Sequence, residues 1–419
     1  MKPPHSKFLP WIVCLSAALF FAYELLQLHL MNAISPMLMR DLNLSGAEFG
    51  YLSSTYLLAD VLFLLPAGII LDRFSVRRVI LTALFLCLIG TAGFAKATSL
   101  PTAALCHFLS GIGNAFCFLS CVMLISRWFP KSRQAFLIGL MITIGMLGGV
   151  VAQLPFALLA EKLHWRAALM IDASLGMLLF GVIFIFVKDA PQKVERQNGE
   201  ALSFFEGIKR SALNLHNLCC GLYTCLMNLP LMIISAVWGT LFLTQVHHFP
   251  VTKASFIVSM ICMGTIVGSP LFGWLSDKLK RRKPLMAFGG VCSIFIFSLI
   301  LLLRPGEEIL TLLFFSLGLF TSSQTLGYPL ITENSPKELT GTSMGIAAVI
   351  IMGLPALIQP LSGMLLDLSW DGTVVSGVPL YSVKDFQTAF LIFPAGFMIA
   401  LFALVGIGEK RAPKLALNP

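Results

Sequence analysis

Apolar runs near 20 residues long recur from one end of this 419-residue chain to the other, and they constrain its fold more than any motif does. At 1.5 Å per residue such a run, as a helix, matches the roughly 30 Å hydrocarbon core of a bilayer. No water is present there to satisfy backbone groups, so only helices and closed barrels can cross. Barrel strands would alternate with period two, and these runs do not. Charged residues make up 12% and apolar residues 57% of the chain, against roughly 25% and 45–50% in soluble domains. The predicted class is therefore all-α and polytopic. Twelve spans are expected: near 8–31, 47–71 and 76–95, one opening at Pro101, one holding Gly139 to Pro155, one from Trp165 to about Lys188, then 213–245, 252–275, 284–303, 309–332, 343–366 and 387–407.

The net charge of +9 could suggest nucleic acid, but its placement does not. With both termini inside, only Arg40, Lys96, Lys162, Arg166, Lys253, Arg304 and Lys384, seven of the 29 Lys and Arg, fall on the outer face. The rest, including Lys2, Lys7, Arg127, Arg133, Lys410, Arg411 and Lys414, fall on the other side, as cytoplasmic loops require. A bacterial inner membrane with cytoplasmic termini is the expected location. The basic lead Met1 to Lys7 opens a run too long for a signal-peptide core. The 10 cysteines lie in apolar runs without Cys-x-x-Cys spacing, so neither a disulfide framework nor a metal site is expected.

The chain reads as one unit written twice. Between spans two and three lies Gly68-Ile69-Ile70-Leu71-Asp72-Arg73-Phe74-Ser75-Val76-Arg77-Arg78, which returns as Gly273-Trp274-Leu275-Ser276-Asp277-Lys278-Leu279-Lys280-Arg281-Arg282. Gly and Asp are each displaced by 205 residues. The Gly is expected to let a helix end lie close against its neighbour, with the acid near helix N-termini and basic groups. Pro130-Lys131, Gly139 and Gln153 recur as Pro336-Lys337, Gly345 and Gln359, displaced by 206. The expected organisation is two pseudo-symmetric six-helix bundles, 1–190 and 212–419, joined by a cytoplasmic linker, 191–211. The polar segment 367–387 is expected to be an outer loop.

These two hinges, the two six-helix halves and the basic linker resemble the major facilitator superfamily, whose pattern is Gly-x-Leu-x-Asp-Arg-x-Gly-Arg-Lys. This chain has Ile70 for Leu, Ser75 for Gly and Val76 for Arg; the second copy keeps Gly273, Leu275, Asp277, Lys278, Arg281 and Arg282. The resemblance implies a gating role for Gly68, Asp72, Arg73, Arg77 and for Gly273, Asp277, Lys278, Arg281, with Asp72 holding the cytoplasmic side closed. Ser126-Arg127-Trp128-Phe129-Pro130 and His164-Trp165-Arg166-Ala167-Ala168-Leu169 are similar to a nutrient-uptake branch of intracellular bacteria that imports amino acids or nucleosides. Drug antiporters of the superfamily carry a Gly-Pro pair in span five, where this chain reads Gly145-Met146-Leu147-Gly148-Gly149. That leans toward symport.

The family architecture implies a substrate site lined by spans one, four, seven and ten. Span one offers Tyr23, Glu24, Gln27 and His29, with Tyr23 and Gln27 on one face. Glu24 lies about 24 Å into its span, somewhat past the midplane, and Asp60 of span two about 18 Å from Asp72. A carboxylate there costs at least about 2.5 kcal/mol if it faces lipid. A water-filled cavity, a cationic partner or the protonated acid each relieves that cost, and no Lys or Arg lies mid-span. Both acids are proton-coupling or amine-contact candidates; the alternative is a structural hydrogen bond. Tyr56, Asn114, Asn228, Gln324 and Tyr328 are further candidates, with helix-to-helix hydrogen bonding the competing role. Gln153 and Gln359 either meet substrate or pack beside Pro155 and Pro360. His107 is expected at an interface, and Asp172 and Glu333 in pairs with neighbours.

Buried acids without buried cations suit an amine, a zwitterion or a neutral solute moved with protons, and disfavour phosphates and polycarboxylates. The chain is therefore expected to be a secondary active transporter, a proton symporter importing an amino acid, short peptide or nucleoside by alternating access. An exporter or siderophore-type carboxylate transporter, and a non-transporting sensor on the same scaffold, are the alternatives. Catalytic and nucleotide-binding motifs are missing, so no enzyme, cofactor or nucleic-acid partner is expected. A monomer is expected.

Overall fold

The computed structural model describes residues 8–189, 209–303, 305–336 and 339–408; the side chains of residues 69, 72, 131, 132, 135 and 340 also lie outside the described set. Most of the 191–211 linker, and Lys2, Lys7, Arg304, Lys337, Lys410, Arg411 and Lys414, are outside it too. Among the described residues, 12 helices are long and apolar enough to cross a membrane. Spans one to six are Leu9–Leu42, Gly46–Gly68, Val76–Lys96, Leu100–Trp128, Phe136–Leu163 and Trp165–Phe186. Spans seven to twelve are Leu215–Val246, Val251–Leu279, Lys283–Leu302, Glu307–Asn334, Gly341–Ser369 and Val383–Gly406. Phe184, Leu178, Leu312, Phe402 and Val405 are exposed, as a surface meeting acyl chains requires.

Span one is longer than its sequence indicated. It continues beyond Met31 through Asn32, Ser35 and Pro36 to Leu42, a helix of 34 residues. Pro36 has no N–H for the carbonyl of Asn32, and the Ser35 hydroxyl donates to that oxygen instead, at 2.9 Å. The helix ends where Asn43 takes φ 51° and returns its N–H to Arg40 and Met39. Glu24, the sixteenth of these 34 residues, thus lies at mid-helix rather than past it.

Several spans are broken. Span five stops at Val151 and restarts as Leu154–Leu163, with Gln153 (φ −88°, ψ −104°) at the joint and Pro155 after it. Span seven runs as Leu215–Leu229, a π-helical stretch Pro230–Trp238, then Gly239–Val246. Span ten passes through a 3₁₀ stretch, Ser322–Leu326. Tight and loose turns of this kind leave backbone groups needing other partners, and they occur often at functional positions.

The chain forms two compact units. The first takes in spans one to six with Met232–Cys262 and Pro355–Ala389; the second takes in Met263–Leu354 and the flanking residues 215–231 and 390–406. The first unit thus includes the later parts of spans seven and eleven and the whole 367–387 segment. That segment carries a small hairpin, β1 (Val374–Val375) paired with β2 (Val378–Pro379). Its turn, Ser376-Gly377, has both φ angles positive (52° and 80°), as two-residue hairpins favour.

Within the first unit the small residues of span four pack where large ones could not. A Cβ on Gly111 would collide with the Tyr56 carbonyl, and one on Gly148 in span five with the Ala22 carbonyl. By contrast, Gly139 has nothing within 4 Å of such a Cβ. Gly148→Leu is therefore expected to destabilise the protein by about 1–3 kcal/mol or more, while Gly139→Leu leaves the melting temperature unchanged. Thermal unfolding of the two purified variants checks this.

Candidate functional site

The first unit buries acids at its centre. Glu24 is fully buried in span one, and the Tyr56 hydroxyl of span two donates to its Oε2 at 2.8 Å while lying 3.0 Å from its main-chain carbonyl. A Cβ on Gly113 would strike the Glu24 carboxylate, so the missing side chain in span four makes room for the acid. Asp60 is buried in span two beside the Asn114 amide of span four. Asp172 of span six is buried as well; Gln27 Nε2 donates to it at 2.6 Å and the Tyr23 hydroxyl at 3.3 Å. The shared face of Tyr23 and Gln27 is therefore turned onto Asp172. Among the described residues no Lys or Arg side chain is buried.

His107, expected at an interface, is instead buried between Phe94 and Tyr56, with ring centroids 5.3 Å from each. Span four enters the unit deeply enough there that two aromatic faces exclude water from the imidazole. His29 is also fully buried; its Nδ1 lies 2.8 Å from the Leu25 carbonyl, and its Nε2 has no hydrogen-bond partner among the described residues.

A second polar cluster ties both sequence halves together within the same unit. Asn32 Nδ2 donates to Gln153 Oε1 at 2.7 Å and to Thr240 Oγ1 at 2.8 Å, while its Oδ1 accepts from the Thr240 N–H at 2.8 Å. Gln153 Nε2 donates to the Ser235 carbonyl at 2.7 Å. Gln359 Nε2 donates to the Met232 carbonyl at 3.0 Å. The two repeat-related glutamines therefore each take a carbonyl of the π stretch in span seven. Beside them Trp238 Nε1 donates to Ser362 Oγ at 2.7 Å. Asn32 and Thr240 were not among the sequence candidates. Asn32 stood one residue beyond the assigned end of span one, and only the pairing across spans marks it out.

The second unit brings Asn228 and Gln324 together: Gln324 Nε2 donates to Asn228 Oδ1 at 3.0 Å, where the 3₁₀ stretch meets span seven. Tyr223 donates to the Met286 carbonyl at 2.7 Å, with Ser323 Oγ 2.8 Å from its hydroxyl. Tyr328 lies half-buried two residues beyond the 3₁₀ stretch.

The hinges differ from expectation. Among the described residues a Cβ on Gly68 or on Gly273 would meet nothing within 4 Å, so neither glycine makes a close helix contact with them. Ser75, standing where the family pattern has Gly, caps span three by accepting from the Arg78 N–H at 3.3 Å, and its hydroxyl donates to Asp189. Arg77 donates to the Phe184 carbonyl and lies 5.0 Å over that ring. Arg73, Asp277 and Arg281 are exposed, Lys278 lies 5.0 Å over Trp274, and the Asp72 side chain is outside the described residues. Glu333 pairs with Arg282 at 2.8 Å.

Removing either member of the Asn32–Gln153 pair takes one hydrogen bond from the buried amide that remains, whose other bonds go to Thr240 or Ser235, at about 1–3 kcal/mol. Asn32→Ala and Gln153→Ala are expected to be non-additive, with a coupling of about 0.5–3 kcal/mol in a double-mutant cycle read by unfolding.

The Major Facilitator Superfamily model matches residues 12–360. The membrane sensor protein UhpC of Salmonella typhimurium is 24% identical over 371 residues, covering 81% of this chain and 82% of the sensor. A probable galactarate/D-glucarate transporter, GudP of Bacillus subtilis, is 24% identical over 343 residues, covering 73% and 74%. Among solved structures, a bacterial homologue of the human lysosomal transporter Spinster, in an inward-facing and unoccupied conformation, superposes with a TM-score of 0.81 at 17% identity, over 96% of this chain and 98% of that one. A D-xylose–proton symporter superposes with a TM-score of 0.75 at 15% identity, over 95% and 98%. With its twelve spans and a family match over most of its length, the chain belongs to the Major Facilitator Superfamily of membrane transporters.

Proposed function

We propose that this protein is a proton-coupled symporter that imports a small neutral or zwitterionic nutrient, such as an amino acid, short peptide or nucleoside. One observation carries the reading: Glu24, Asp60 and Asp172 are buried in one unit while no described Lys or Arg is. Acids held without cations can take up and release protons or meet an amine. Recognition of a dianion would need positive charge that only helix ends could supply. Galactarate and glucarate, named for one relative, are such dianions, and the charge pattern here argues against them. The D-xylose–proton symporter shares the fold and supports coupling to protons.

In this reading Glu24 carries the proton and Tyr56 orients its carboxyl. Tyr23, Gln27, Asp60, Asn114, Gln153, Asn228, Gln324, Tyr328 and Gln359 contact substrate or keep their neighbours in register. Residues 1–190 rock against 212–419 about the 191–211 linker, with the Gly68–Arg77 and Gly273–Arg281 hinges gating the cytoplasmic side. The protein works as a monomer in a bacterial inner membrane with both termini cytoplasmic, and performs no covalent chemistry. A second reading is a solute sensor without flux, favoured by the likeness to a membrane sensor protein.

Proteoliposomes carrying an inward proton gradient test both. A transported solute is accumulated against its own gradient, and accumulation collapses with a protonophore. Glu24→Gln is expected to lower gradient-driven uptake about tenfold or more while exchange of labelled for unlabelled solute continues. Binding without exchange supports the sensor. High-affinity uptake of a polyanion, with Glu24→Gln silent, overturns the proposal.

A further inference from the structure

We infer that Asp367 is a gating residue whose carboxylate, by capping span two from span eleven, latches one end of the first unit and must release for that end to open. The inference rests on the transporter reading and adds a latch remote from the buried acids.

A helix begins with four N–H groups that have no partner in their own helix. Span two begins at Gly46, and its own sequence satisfies only part of this requirement. Ser45 Oγ accepts from the Glu48 N–H at 3.2 Å, the Ser45 carbonyl accepts from the Phe49 N–H at 2.9 Å, and Glu48 Oε2 returns to the Ser45 N–H at 2.9 Å. This capping box is local and survives wherever span two goes. The first two amides are satisfied from elsewhere. Gly46 N–H donates to Asp367 Oδ1 at 2.9 Å and Ala47 N–H to Asp367 Oδ2 at 2.7 Å, across 321 and 320 residues of sequence. A carboxylate at a helix N-terminus gains from both the charge and the aligned dipoles. Tyr381, buried at the entry to span twelve, donates to Asp367 Oδ1 at 2.6 Å and fixes the carboxylate.

Backbone fit accompanies the bonds. A Cβ on Gly363 would collide with the Gly46 carbonyl, and one on Gly50 would lie 2.5 Å from the Gln359 carbonyl. Spans two and eleven therefore touch main chain to main chain beside the cap. Asp367 is half-buried and the bonds to it are only part-buried. When the spans part, both amides and the carboxylate can be hydrated, so the contact is reversible where an apolar seal would resist. Because the helix start is already closed by its own box, the Asp367 bonds serve the contact between spans rather than the existence of the helix.

Hydrogen–deuterium exchange on the purified full chain, with no solute, tests the latch separately from transport. In Asp367→Ala, exchange is expected to rise about tenfold at residues 46–52 and together at 232–240, a segment whose hydrogen bonds go to Asn32, Gln153, Ser255, Gln359 and Ser362 rather than to Asp367 or Tyr381. Tyr381→Phe, which removes one hydroxyl, is expected to give a smaller rise at the same two segments and keeps the test open should Asp367→Ala fold poorly. A rise confined to 46–49, or no rise in Tyr381→Phe, overturns the latch and leaves an ordinary helix cap.

Discussion

The structure depends on a single requirement: a polar group removed from water inside a membrane must find its partner in the protein. Unbroken helices meet it for their backbones automatically. Each departure from regular helix must be repaired by a side chain, and the repairs account for much of the architecture. Pro36 deprives the Asn32 carbonyl of a donor, and Ser35 supplies one. The π stretch of span seven turns carbonyls outward, and Gln153 and Gln359 take two of them. The two glutamines come from distant parts of the chain, so satisfying the defect in span seven also holds spans together.

The same requirement gives the buried acids their meaning. Glu24 and Asp172 accept from tyrosine and glutamine side chains rather than from a guanidinium or ammonium group. Such donors ease the burial of a carboxyl without cancelling its charge, which leaves it able to respond to a proton or to a cationic group on a solute. A buried Arg in their place would fix the charge permanently. Glu24 also occupies space that only glycine at 113 could leave, so the acid and the small-residue seam of span four belong to one arrangement.

The hinges show where motif and geometry part. Gly68 and Gly273 make no close contact with the described residues. Arg77 is engaged by the end of span six, and Ser75 has become a helix cap that also reaches Asp189. A pattern shared with a family names residues, while the contacts each one makes are set by the neighbours this chain supplies.

The sequence by itself determined the class, the twelve spans, the half-length repeat and two acids, Glu24 and Asp60, that stand in apolar surroundings. These follow from run length, spacing and the cost of charge in lipid, all of which are properties of a chain read one span at a time. It mistook the end of span one, because Asn32, Ser35 and Pro36 look like a polar exit until their partners are known, and it set His107 at a surface that two aromatic rings close off. Which face of span one meets Asp172, which carbonyls the two glutamines hold and which helix Asp367 caps were decided only by tertiary structure. Each is a bond between residues at least 82 positions apart, and nothing in a local pattern encodes the distance that makes such a bond.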